Sequence, residues 1–181
     1  MASPAGSQVA SAAAVDRAEL VASLYDRHGD ELFSYLCRYC GDRDVAEDLL
    51  QDTFVRLVRE VRAGRTPEQP RAWLYRVGAN LAASRGRRIS ALGRTLRRLR
   101  MVESAPSPES GAVAREGRDE LLVALAQMPS DARSVLLLSA QGFSGADIAH
   151  VMSRSPLATR SLLFRARRAL RKQLGGEGAA S

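Results

Sequence analysis

Cysteine and histidine are scarce in this chain: Cys37, Cys40, His28 and His150 are all there are. A structural zinc site takes about four such ligands, and no metal cluster stands out. Two thiols three residues apart on a helix read as packed, free cysteines, with a redox or metal role left open. No apolar run approaches the roughly 20 residues that a membrane span requires, so no membrane insertion is expected. The opening MASPAGSQVASAAA lacks the basic start and leucine-rich core of a secretory signal, which points to the cytoplasm. Also missing are a nucleophile–base set and a glycine-rich phosphate loop, so neither an enzyme nor a cofactor is expected. Strand signals are nearly absent, with no sustained alternation and few β-branched residues. What remains is an all-α protein.

The charge that is present is sorted by sign. The net charge is +7 over 181 residues, yet twelve acidic residues fall between Asp16 and Glu68. From Arg71 to Arg100 there are nine arginines and no acid, and from Ile148 to Leu174 seven basic residues and no acid. Basic blocks of this kind point to a polyanionic partner, most often nucleic acid. The acidic block then has a different partner or faces water.

Helical periodicity runs through the chain. Leu20, Leu24, Leu32, Leu36 and Cys40 recur at multiples of four between Asp16 and Cys40, with Gly29 a candidate break. Asp42 can cap a second helix over about 43–62, whose apolar side is Ala46, Leu49, Leu50, Phe54, Leu57 and Val61. After the loop AGRTPEQP, Pro70 suits the first turn of a third helix carrying Trp73, Leu74, Val77 and Leu81. This helix persists or restarts through ISALGRTLRRLR. Residues 101–117 have no period, two prolines and small polar residues, and read as a flexible linker between two small helical domains. The expected division is a disordered tail over 1–14, a domain over 15–100, the linker, a domain over 118–175 and a tail over 176–181.

The second domain reads as four helices. One lies around Asp119–Gln127, and the next follows Pro129 with Ser130 as cap. The third opens at Ser144 with Asp147 in capping-box spacing, and the fourth has Ser155 as N-cap and Pro156 at its first position. The last two, joined by a turn of a few residues, form a helix-turn-helix pattern whose second helix is basic. On that helix Leu163, Ala166, Leu170 and Leu174 make an inward stripe. Arg160, Phe164, Arg167 and Arg171 line another face, beside Ser161, Arg165, Arg168 and Lys172. One side is core and the other is placed for DNA.

Three stretches, LYDRHGDELFSYLCRYCGDRDVAEDLLQDTFVRLVRE, PRAWLYRVGANLAASRGRR and LAQMPSDARSVLLLSAQGFSGADIAHVMSRSPLATRSLLFRARRAL, resemble the successive parts of extracytoplasmic-function (ECF) sigma factors. The resemblance covers about Leu24 to Leu174. It implies a subunit that directs bacterial core RNA polymerase to specific promoters. Its implied partners are the β′ clamp helices and β flap of the polymerase, promoter DNA and an anti-sigma factor. The clamp-binding motif would be Asp44, Glu47, Asp48, Gln51, Asp52 and Phe54. The first five fall on one helical face opposite the apolar stripe.

Trp73, Arg76 and Asn80 align with positions facing the −10 element, and Arg85, Arg87 and Arg88 read as phosphate anchors. An exposed Trp73 would stack on an unpaired base; a core tryptophan is the equal alternative. The loop GRTPEQPR would help hold a flipped base. In the last segment Arg160, Ser161, Phe164 and Arg165 match −35 contacts, while Arg167, Arg168, Arg171 and Lys172 would meet phosphates. The sequence departs from the family pattern at Ser84, where an acid is usual, at Asp147, where Glu is usual, and at Leu157, Ala158 and Thr159, where Gly-Thr-Val is common. Two rivals remain open on the residues alone: a stand-alone helix-turn-helix regulator, and a basic protein that binds membranes or RNA without sequence preference.

Overall fold

The computed structural model describes residues 5–96 and 112–175. Among them are seven helices and no strand: α1 (Ala5–Cys40), α2 (Arg43–Arg62), α3 (Pro70–Leu96), α4 (Ala112–Gln127), α5 (Ser130–Ala140), α6 (Gly145–Val151) and α7 (Pro156–Gly175). Most of the linker expected at 101–117 and the tail expected at 176–181 lie outside the described residues.

Local chemistry sets the boundaries. Gly41 takes a left-handed φ of 71° and donates its N–H to the Cys37 carbonyl at 2.8 Å, closing α1. Asp42 then accepts from the Val45 N–H at 3.0 Å and opens α2. Ser144 and Asp147 form the reciprocal capping box expected of them. Ser155 caps α7 by accepting from the Ala158 N–H at 3.3 Å.

Several boundaries differ from the sequence expectation. Helix α1 runs unbroken through Gly29, which is buried against the Tyr25 ring; one interior glycine costs only about 1 kcal/mol. It also begins at Ala5, inside the stretch expected to be a tail, because alanine is the best helix former. Helix α4 starts at Ala112, six residues before the expected domain boundary, in a segment free of proline. Ser130 does not cap α5: the cap position is Pro129, whose carbonyl accepts the first helical N–H, and no side chain assists.

Helices α1, α2 and α3 pack around Leu32, Leu36, Leu49, Phe54, Leu57 and Leu74. All six residues expected on the apolar side of α2 are buried. In the second unit Leu125, Val135, Leu138, Ile148 and Ala166 meet at the junction of α4–α7. On α7 Leu163 and Leu170 are half-buried, but Leu174, expected inward, is exposed in the final turn, where no described helix covers it.

The two units are not separate in space. A run of aromatic rings crosses between them: Tyr39 to Tyr35 at 6.1 Å, Tyr35 to Tyr75 at 5.2 Å, and Tyr75 edge-on to Phe143 at 4.8 Å. Arg133 on α5 donates to the carbonyls of Leu125, Ala126 and Met128 within its own unit. It also reaches the Tyr39 carbonyl across the junction at 2.8 Å. Arg71 at the start of α3 donates to the Gln141 carbonyl at 2.9 Å and lies 4.3 Å from the Phe143 ring.

Ser134 stands near the Tyr35 and Tyr39 hydroxyls and draws their ionisation downward, yet neither hydroxyl has a partner in hydrogen-bond geometry. Burial outweighs that pull. It raises all three buried tyrosines, Tyr75 to about 12 and Tyr35 further. A phenol whose folded pKa is raised stabilises the fold fully below its unfolded value near 10 and loses that contribution as pH rises through the folded value. Stability should therefore fall as pH climbs from about 10 to about 12, with tyrosinate absorbance appearing together with unfolding. Ionisation of Tyr35, Tyr39 and Tyr75 near 10 in a still-folded protein would contradict the packing.

Candidate nucleic-acid interface

The outward face of α2 carries Asp44, Glu47, Asp48, Gln51 and Asp52, all exposed and aligned as their spacing requires. Phe54 is not on that face. It is buried and meets the Tyr25 ring edge-on at 4.9 Å, so it anchors α2 to α1 instead of offering a contact. The spacing is the reason: Phe54 lies on the same helical face as Leu50 and Leu57, inside the apolar stripe.

Across from this face, the basic side of α3 lies alongside α2. Asp52, Arg56, Asn80, Ser84, Arg87 and Arg88 line one polar groove between the two helices. Asp48 pairs with Arg85 at 3.2 Å, both side chains being substantially exposed, a pair worth at most about 1 kcal/mol in water. Arg85 thus takes its acid from α2 and not from its own helix. Asn80, Arg87 and Arg88 are exposed, whereas Arg76 is half-buried. Trp73 is half-buried against the rim of the core, so it is neither the fully exposed stacking platform nor the core residue that the sequence left open.

On α7 every residue expected to face −35 DNA is exposed: Arg160, Ser161, Phe164, Arg165, Arg167, Arg168, Arg171 and Lys172. Arg167 is also tied to α5, donating to the Ser139 hydroxyl at 3.0 Å, and Arg165 reaches the Ser161 carbonyl at 3.3 Å. No ion pair engages α7 among the described residues, so its cationic face is left for an external anion. Thr159 packs beneath, fully buried. The turn before α7 is fixed by an ion pair from Arg154 to Asp131 on α5 and by Ser153 in a left-handed conformation, φ 52°.

Sequence reasoning missed Arg71 and Arg133, the residues that join the two units. Arg71 ends the loop GRTPEQPR, which the resemblance assigns to DNA, and nothing in the periodicity of α5 marks Arg133. Cys37 and Cys40 are free, and burial raises both thiols, Cys40 to about 11, which disfavours the reactive thiolate. Among the described residues no group of His, Cys, Asp and Glu could hold a metal. None of the described helices is long and apolar enough to cross a membrane.

Residues 24–91 match the family described as Sigma-70 region 2, and residues 118–170 match Sigma-70 region 4. The ECF RNA polymerase sigma factor SigL of Mycobacterium tuberculosis is 33% identical over 171 residues, covering 91% of this chain and 94% of SigL. The ECF RNA polymerase sigma factor BldN of Streptomyces coelicolor is 32% identical, covering 87% of this chain and 61% of BldN. Among solved structures, CnrH in complex with the cytosolic domain of CnrY superposes with a TM-score of 0.64 at 26% identity, over 92% of this chain and 95% of that one. RpoE in complex with the anti-sigma factor NepR from Bartonella quintana shares the fold, with a TM-score of 0.65 at 24% identity, over 81% of this chain and 91% of that one.

Proposed function

The chain belongs to the ECF sigma factors, which direct core RNA polymerase to promoters, and from that premise we propose how its surfaces divide the work. The acidic face of α2, Asp44 to Asp52, docks on the basic clamp helices of the polymerase β′ subunit. Asn80, Arg85, Arg87 and Arg88 of α3 hold the −10 element, with Trp73 and Arg76 at its edge. The exposed face of α7 enters the major groove at −35 while the carboxy-terminal unit also meets the β flap. The protein acts as a specificity subunit in the cytoplasm and leaves the chemistry of RNA synthesis to the polymerase.

The observation that carries this reading is the groove between α2 and α3, where an acid-lined helix and an arginine-lined helix are adjacent. One element faces the enzyme, and its neighbour faces the template. Charge of each sign steers its own partner and rejects the other.

The packed arrangement has a further consequence. Elements centred at −10 and −35 are about 25 base pairs apart, about 85 Å along B-DNA at 3.4 Å per step. A compact protein of this size has a radius of gyration of only about 16 Å. The α5–α6 corner must therefore leave α1 and α3 before both elements are bound. The fold superposes over 92% of this chain on CnrH, which was solved in complex with the cytosolic domain of CnrY. An anti-sigma partner acts here by stabilising the closed form.

Run-off transcription with a bacterial core polymerase and a promoter library tests the proposal. Product should depend on both elements and fall at least about tenfold when the spacer between them is lengthened by half a helical turn. Transcription indifferent to spacing, or none on any promoter, would reject it.

A further inference from the structure

Of the large apolar side chains that are exposed among the described residues, Leu157 at 74% and Phe164 at 67% are the most so. Both lie on α7, seven residues apart, with Arg160 and Ser161 between them. At 100° per residue these four side chains fall within one sector of about 100°, the sector that faces away from Thr159 and Ala166. The helix thus presents an apolar–cationic–polar–apolar stripe. Its two ends, Leu157 and Phe164, lie about 10.5 Å apart along the helix axis, or three base-pair steps.

Leu157 has no structural task that explains it. It occupies the second position of α7, follows Pro156, and makes no part of the core. The capping that starts the helix runs from the Ser155 side chain to the Ala158 N–H and does not use the Leu157 side chain. A single exposed leucine needs no explanation, but this one stands where the first turn of a recognition helix meets base edges. The face around it has basic residues and no acid, which favours DNA over a protein partner.

We propose that Leu157 is a specificity-determining residue that reads the 5-methyl group of a thymine at the edge of the −35 element. That methyl is the one apolar feature base pairs present in the major groove. Arg160 and Ser161 meet donor and acceptor groups inside the stripe, and Phe164 closes its far end against a second apolar surface. The inference rests on the −35 reading of α7 given above and adds a base identity to it.

The test uses holoenzyme assembled from the full chain and a bacterial core polymerase, selecting from duplexes randomised at −35. Wild-type holoenzyme should enrich thymine at a position where Leu157→Ala shows no preference. Replacing that thymine by deoxyuridine, which lacks only the methyl, should weaken the wild-type complex roughly fivefold or more and leave the Leu157→Ala complex unchanged. Thermal melting of Leu157→Ala should match wild type, because the side chain is exposed. The same thymine preference in both proteins, or indifference of the wild type to deoxyuridine, overturns the inference while leaving the −35 reading intact. Failure of wild-type holoenzyme to enrich any sequence removes both.

Discussion

Replacing Asp48 and Gln51 together by arginine should weaken binding to core polymerase by at least about a hundredfold. Both side chains are exposed on the outward face of α2, so the substitution removes no core packing. The one contact it breaks is the Asp48–Arg85 pair at 3.2 Å, which contributes at most about 1 kcal/mol. The fold should therefore survive, with a melting temperature close to wild type. Against a basic partner helix, however, two new positive charges oppose like charges, and such juxtapositions cost several kcal/mol. At 1.4 kcal/mol per tenfold, about 3 kcal/mol reaches a hundredfold. Fluorescence anisotropy with labelled protein reads the loss directly, and affinity for promoter DNA alone should be unchanged or slightly raised. A stand-alone regulator would show no loss on the polymerase side because it would have nothing to lose.

Arg133→Ala should produce the largest loss of stability of any single surface-reachable substitution in the second unit. The guanidinium caps the end of α4 through the Leu125, Ala126 and Met128 carbonyls. It also bridges to the Tyr39 carbonyl at 2.8 Å and stacks over the Tyr39 ring at 5.2 Å. Removing it strands several half-buried acceptors, each hydrogen bond to a charged group being worth roughly 1.5–3 kcal/mol. A net loss of about 3 kcal/mol corresponds to roughly 6–12 °C in melting temperature for a chain of this size. Arg133→Lys should rescue little, because an ammonium cannot reproduce the planar fork. Small-angle scattering should show a larger radius of gyration as the α5–α6 corner lifts from α1 and α3. An unchanged melting profile and radius would mean that Arg133 joins nothing of consequence.

These three residues mark how far the sequence could be read. The Asp48–Gln51 face was legible because a helix spaces its outward residues as regularly as its inward ones. The six buried residues of α2, the Asp42 cap and the Ser144–Asp147 box followed from the same periodic and capping rules. Arg133 was not legible, because its acceptors are backbone carbonyls on α4 and α1, which carry no residue signature. The run Tyr39–Tyr35–Tyr75–Phe143 escaped notice for a related reason. Tyrosine serves core and surface alike, so periodicity does not assign it, and only the packing of the two units brings these rings together. Phe54 is the opposite case: the family resemblance makes this position a contact, whereas the apolar period of its own helix places it inside.

Site-specific photo-crosslinking in an assembled polymerase–promoter complex tests the division of surfaces most directly. With a crosslinker at Glu47 the protein should join the β′ subunit and not DNA, and with one at Arg160 it should join DNA near −35 and not the polymerase clamp. DNA captured from position 47, or β′ clamp captured from position 160, would contradict it.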